Sequence, residues 1–170
     1  SSDLGNMKRI AQFEKVSLTE FEKAFENKEE ARQIYENLKL PKRATCGSAG
    51  YDFYAPFDIT LKPNETIKIP TGIRCKMERG WVLKLYPRSS LGFKYRLQLN
   101  NAVGIIDEDY YYSDNEGHIF AKITNATNEG KIVEVKQGQG FMQGLFIEFG
   151  ITYDDDVTAQ RNGGFGSTTK

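Results

Sequence analysis

The chain has 170 residues, 39% of them hydrophobic, which is enough apolar material to build the core of one ordinary domain. Its 23 Lys and Arg balance its 23 Asp and Glu, so it lacks the cationic excess on which general nucleic-acid or acidic-membrane binding depends, and any anionic partner must be met locally. No run approaches the roughly 18 apolar residues of a membrane-spanning helix and no basic stretch followed by an apolar one opens the chain, so a cytoplasmic protein is the simplest reading.

The opening SSDLGN, before Met7, reads as an expression-vector remnant and is set apart from the fold. After it, RIAQFEKVS alternates Ala11 and Phe13 with Gln12 and Glu14, as a half-buried strand does. The period then changes. Ser17 with Glu20 has capping-box spacing, and Leu18, Phe21, Phe25, Ala31, Ile34, Tyr35 and Leu38 recur at helical intervals. Asn27 with Glu30 repeats the start signal, which leaves one helix or two short ones over Leu18 to Leu38. From Leu40 onward, short alternating runs are cut by Gly, Pro, Asn and Asp, the pattern of an all-β domain carrying a helical insertion near its start. Cys46 and Cys75 show neither metal-ligand spacing nor a secreted framework and are expected as free thiols. His118 has too few partners for zinc and is expected at the surface or with its hydrogen bonds satisfied.

Five polar or glycine-rich stretches interrupt the β pattern. SAGYDFYA sets Asp52 among apolar neighbours, where a carboxylate needs donors or a cation; a turn-holding role is the plainer alternative. YPRSSLGFK puts Arg88, Ser89 and Ser90 directly after an apolar strand, a compact group suited to phosphate oxygens as well as to an ordinary turn. In NNAVGIIDEDYYYSDNEGHIF an apolar run delivers Asp107 and Asp109 to one side if the strand continues, with Glu108 on the other. A carboxylate there suits a general base for water, though paired acids in a loop are more often simply solvated. GQGFMQGLFIEF holds Gln143, a neutral amide that needs partners if buried. The terminal RNGGFGSTTK has one aromatic, Phe165, among glycines, hydroxyls and cations, and so little to bury that it cannot order itself by packing.

Taken in order, these stretches resemble the five motifs of the trimeric dUTPase family, whose members split dUTP into dUMP and pyrophosphate. The match is strongest in AGYD, PRS, GIIDEDY and GGFGST and runs from Ala49 to Thr168. The resemblance implies a distorted β-barrel of many short strands over residues 7–160, with residues 161–170 as a C-terminal lid that reaches a neighbouring subunit of a homotrimer. Asp107 matches the catalytic base that activates water against the α-phosphorus, and Tyr110 the aromatic under the deoxyribose that excludes a 2′-hydroxyl. Asn101, Gly104 and the backbone of Ile105 and Ile106 match the hairpin that reads uracil, with Ile119 and Phe120 completing the pocket. Arg88, Ser89 and Ser90 match the phosphate turn, and Gln143 a contact near the α-phosphate. Phe165 matches the ring that stacks on the base, while Arg161, Gly166, Ser167 and Thr168 close over the phosphates. Mg2+ is implied as cofactor, held by the triphosphate and water, with Asp52 touching it through water. No nucleic-acid or membrane partner is implied.

The chain departs from the family pattern at Ser90, where glycine is usual, and at Gly140, where arginine is common. Gly144 is unusual too, and YYSDNE, Tyr111 to Glu116, lengthens a normally short link. The helical insertion is a further departure and is expected to pack outside the barrel. Two alternatives share the fold: a dCTP deaminase or bifunctional relative, and a non-enzymatic, nucleotide-responsive interaction module.

Overall fold

The structure, a computed structural model, describes residues 7–161. It opens with β1 (Ala11–Lys15), where only Phe13 is buried, followed by two helices, α1 (Leu18–Glu22) and α2 (Lys28–Glu36). Each helix starts where the sequence signals it. Ser17 Oγ accepts from the Glu20 amide at 3.1 Å, and Asn27 Oδ1 accepts from the Glu30 amide at 3.0 Å. The capping box at Ser17 is completed from elsewhere: the Ser17 N–H donates to the Glu116 carboxylate at 2.8 Å, and Ser17 Oγ donates to it at 2.6 Å.

The β domain continues with β2 (Lys42–Arg43), β3 (Tyr51–Tyr54), β4 (Ile59–Leu61), β5 (Thr66–Pro70), β6 (Ile73–Met77) and β7 (Trp81–Pro87). Helix α3 (Ser89–Tyr95) follows, then β8 (Leu97–Leu99), β9 (Gly104–Ile106), a 3-10 turn (Glu108–Tyr112), β10 (Phe120–Asn125), β11 (Val133–Val135) and β12 (Gly140–Glu148). Among the described residues these strands form four antiparallel sheets: β1-β6, β5-β10-β8, β11-β4 and β2-β3-β12-β7-β9. One core joins them, with Phe53, Ile69, Leu83, Leu97, Ile123 and Phe141 nearly or wholly sealed from solvent. Gly144 on β12 faces this core. A Cβ there would stand 2.8 Å from Leu83 Cδ1 and 3.2 Å from Phe53 Cε1, which accounts for glycine at that unusual position.

The helical insertion builds its own small cluster of Val16, Phe21, Ala31 and Ile34, roofed by Phe25, Tyr35 and Leu38, on the outside of the β domain. It is tied down at the β5–β6 turn, where the Val16 N–H donates to the Gly72 carbonyl at 2.9 Å. His118 sits under it and is fully buried, which corrects the surface alternative: its Nε2 accepts from the Gly72 N–H at 2.9 Å while Nδ1 has no hydrogen-bond partner among the described residues. Cys46 is exposed and Cys75 buried, and both are free thiols.

Candidate active site

Strand pairing opens the first half of the site. β8 and β10 run together through Leu97–Asn125 and Leu99–Ile123, after which the chain turns at Asn100–Val103 and β9 leaves to pair with β7, Gly104 opposite Leu85 and Ile106 opposite Leu83. The two arms of the hairpin therefore part into different sheets, and a cavity of about 460 Å³ opens between them. Of the residues expected there, Asn101, Gly104, Ile106 and Phe120 line it. The Ile105 side chain points outward, 49% exposed, so only its backbone can serve the pocket. Ile119 does not line it: the side chain is fully buried, and its backbone N–H and C=O bond to Ile73 and Thr71. Leu85, Leu99 and Met142 add an apolar floor that the sequence did not single out, and Lys68, Lys122 and Asn100 add polar groups.

At the end of β9 the strand stops, which corrects the expectation of continued alternation. Asp107 is the cap of the 3-10 turn, its carbonyl accepting from the Tyr110 N–H at 3.1 Å. Asp107 and Asp109 nevertheless meet one partner: Arg161 Nη2 lies 2.7 Å from Asp107 Oδ2, and Arg161 Nε lies 2.9 Å from Asp109 Oδ1. Glu108 does point elsewhere, accepting from the Gly80 N–H at 2.9 Å. Tyr110 is buried, and its hydroxyl donates to the His118 carbonyl at 2.5 Å and accepts from Asn115 Nδ2 at 2.9 Å. Burial pushes the phenol up to about 12, with the Asn115 bond and the Arg161 charge opposing, so it stays neutral at physiological pH; Tyr110 is not among the residues that line the hairpin cavity.

A second group gathers on β3, β7 and β12. Register places Gln143 opposite Asp52 on one side and Tyr86 on the other, with Arg88 following at the cap of α3. Arg88 Nη1 donates to the Gly140 carbonyl at 3.4 Å, and Gln143 Nε2 donates to the Pro87 carbonyl at 3.4 Å. Gly50 makes room for that glutamine, since a Cβ at Gly50 would lie 2.5 Å from Gln143 Oε1. A side chain at Gly140 would begin 3.4 Å from Arg88 Nη1, so an arginine there would crowd a second cation against the first. Ser89 and Ser90 are exposed in the first turn of α3, where helical backbone needs no glycine. Asp52 is the one carboxylate of this group. No cluster of three or more potential metal-ligating side chains occurs among the described residues. A lone carboxylate fits water-mediated contact with a hydrated Mg2+ better than direct caging of it.

The hairpin cavity and the phosphate cluster lie on opposite faces of the five-stranded sheet. Met142 points inward to the cavity, so its neighbour Gln143 points outward. They are also far apart along β7: Asp107 follows the Ile106–Leu83 pair, and Arg88 lies five residues beyond Leu83, so roughly 20 Å separates them at the rise of an extended strand. Phe165, Gly166, Ser167 and Thr168 lie outside the described residues, and Arg161 is the last one within them.

Comparison with known proteins agrees with this arrangement. The dUTPase family profile matches residues 36–169. The deoxyuridine 5′-triphosphate nucleotidohydrolase of Lactococcus lactis is 43% identical over 134 residues, 77% of this chain and 88% of that one. The dUTPase of Streptococcus mutans superposes with a TM-score of 0.63 at 36% identity, covering 82% of this chain and 97% of its own. The dUTPase of phage phi11 of S. aureus shares the fold, with a TM-score of 0.62 at 19% identity over 89% of this chain and 97% of its own. An all-β domain with a hairpin cavity and a separate Arg-Ser-Ser, Gln and Asp cluster is the dUTPase-like fold. The chain belongs to the dUTPase family and is an enzyme of it.

Proposed function

We propose that this enzyme hydrolyses dUTP to dUMP and pyrophosphate at a site assembled from more than one copy of the chain. Asp107 takes a proton from water, the hydroxide attacks the α-phosphorus, and the bond to the bridging oxygen breaks as pyrophosphate leaves. Uracil occupies the hairpin cavity, where backbone donors and acceptors of Gly104 to Ile106 face its polar edge. Cytosine presents the reversed pattern and would leave buried groups unpaired. Tyr110 packs under the deoxyribose. Arg88, Ser89, Ser90 and Gln143 bind phosphate oxygens. Mg2+ bound to the triphosphate would neutralise its charge, with Asp52 as the nearby carboxylate for its water shell. Arg161, Phe165, Gly166, Ser167 and Thr168 belong to the lid on the grounds of the motif GGFGST.

The observation that carries the assembled site is the separation of its halves. One chain holds Arg88 and Asp107 roughly 20 Å apart along β7, so an α-phosphorus bound by Arg88 and Gln143 needs the Asp107 of another copy. The outer face of that sheet supports such packing: Ile105 and Ile147 are 49% and 43% exposed, beside half-buried Val82 and Leu145. A homotrimer with shared sites is the assembly proposed. Two free thiols agree with a cytoplasmic setting.

Measuring pyrophosphate release from dUTP, dTTP, dCTP and UTP, with and without Mg2+, tests the reading. Release from dUTP alone, dependent on Mg2+, is expected. Ammonia released from dCTP would move the enzyme to the deaminase alternative, and nucleotide binding without turnover would make it an interaction module.

A further inference from the structure

We infer that Asn115, on the loop that lengthens the link between Tyr110 and Gly117, is a positioning residue that sets discrimination between deoxyribose and ribose. The inference rests on the proposed function, in which the Tyr110 ring forms the floor under the sugar. Tyr110 precedes the lengthened loop by one residue, and the loop folds back on it. Asn115 Nδ2 donates to the Tyr110 hydroxyl at 2.9 Å, and that hydroxyl donates in turn to the His118 carbonyl at 2.5 Å. The asparagine cannot turn its amide round, because its Oδ1 accepts from the Gly117 N–H at 3.1 Å while its own carbonyl accepts from the His118 N–H at 3.1 Å. The phenol is therefore held by one donor and one acceptor whose directions are both fixed.

The loop is itself anchored from outside. Arg74 Nε donates to the Glu116 carbonyl at 2.7 Å and Arg74 Nη2 to the Tyr111 carbonyl at 2.9 Å, with the guanidinium carbon 3.7 Å from the centre of the Tyr111 ring. The Glu116 carboxylate caps α1 through Ser17. A ring clamped in this way cannot retreat from an added 2′-hydroxyl. Loss of the Asn115 bond leaves the phenol its bond to the His118 carbonyl but loosens the ring's position, so the loop acts on the sugar without touching it.

The test measures kcat/KM for dUTP and for UTP in the full chain and its variants. Asn115→Asp keeps an oxygen for the Gly117 N–H but has no donor for the phenol, so it separates the bond to Tyr110 from the shape of the turn. It is expected to lower the dUTP-to-UTP ratio by about tenfold, mainly through a gain on UTP, and Asn115→Ala is expected to do at least as much. Tyr110→Phe keeps the ring and deletes the bond from the other side; it is expected to lower the ratio by a similar factor even if the Asn115 variants fail to fold. In the Tyr110→Phe background, Asn115→Asp should change the ratio by less than about twofold. A wild-type ratio in Asn115→Asp, or in Tyr110→Phe where the Asn115 variants do not fold, overturns the inference and leaves the proposed function standing. Absence of dUTP turnover in the unaltered chain overturns both.

Discussion

Arg161 spans two carboxylates of its own chain, with Nη2 at 2.7 Å from Asp107 and Nε at 2.9 Å from Asp109, and its side chain is only 9% exposed. Its guanidinium carbon also lies 5.9 Å from the centre of the Tyr110 ring, so the last described residue of the chain meets both the proposed base and the ring proposed to lie under the sugar. A planar fork reaches both carboxylates at once; a single ammonium does not. Arg161→Lys is therefore expected to lower kcat for dUTP by about tenfold or more, nearly as much as Arg161→Ala. Steady-state kinetics would check this, and wild-type kcat in the lysine variant would reduce the contact to a simple charge effect.

The glycine of AGYD has a similar bearing on the phosphate cluster. A methyl at Gly50 would press against Gln143 Oε1, the free end of a flexible side chain, so the fold can yield while the amide is displaced. Gly50→Ala should raise KM for dUTP by about threefold to tenfold with a melting midpoint almost unmoved. Calorimetry alongside kinetics decides it: a large loss of stability with unchanged KM would show that Gly50 serves packing alone.

His118 makes stability depend on pH. Burial holds its imidazole down at about 4 against an ordinary 6.5, with Lys68 acting in the same direction and Glu116 against it. The unfolded chain then binds more protons than the folded one between those values, so stability is complete above pH 6.5 and is lost as pH falls towards 4. About 2 kcal/mol should go between pH 7 and pH 5 from this residue. Urea unfolding of the wild type and of His118→Gln at both pH values should show a smaller drop in the variant. Equal drops would assign the acid sensitivity to other groups.

The sequence made the architecture legible where the signals were local. Ser17 and Asn27 announce two helix starts, and both side chains accept the expected amides. Alternation found the strands, and motif order pointed to Asp107, Arg88 and Gln143 as candidates. What stayed hidden depended on which strands pair. Lys68 and Lys122 reach one cavity because β5 and β10 place them directly opposite, a relation across more than fifty residues that no local pattern encodes. The strand period carried Asp107 and Asp109 to the same side by the wrong geometry, since the backbone leaves β9 at Ile106 for a 3-10 turn. The surface alternative for His118 fails because of the Phe21 ring, 6.0 Å away on an insertion that local pattern cannot dock. Asn115 lies in the lengthened loop from Tyr111 to Glu116, yet its bond to Tyr110 follows only from how that loop folds back.

The proposed chemistry stands on one carboxylate, and single-turnover hydrolysis of dUTP by Asp107→Asn tests it most directly. The amide keeps the shape of the side chain and cannot accept the proton, so dUTP binding should persist while the chemical step slows by about 10²-fold to 10⁴-fold. A variant that binds dUTP and releases pyrophosphate at the wild-type rate would contradict the assignment of Asp107 as the base.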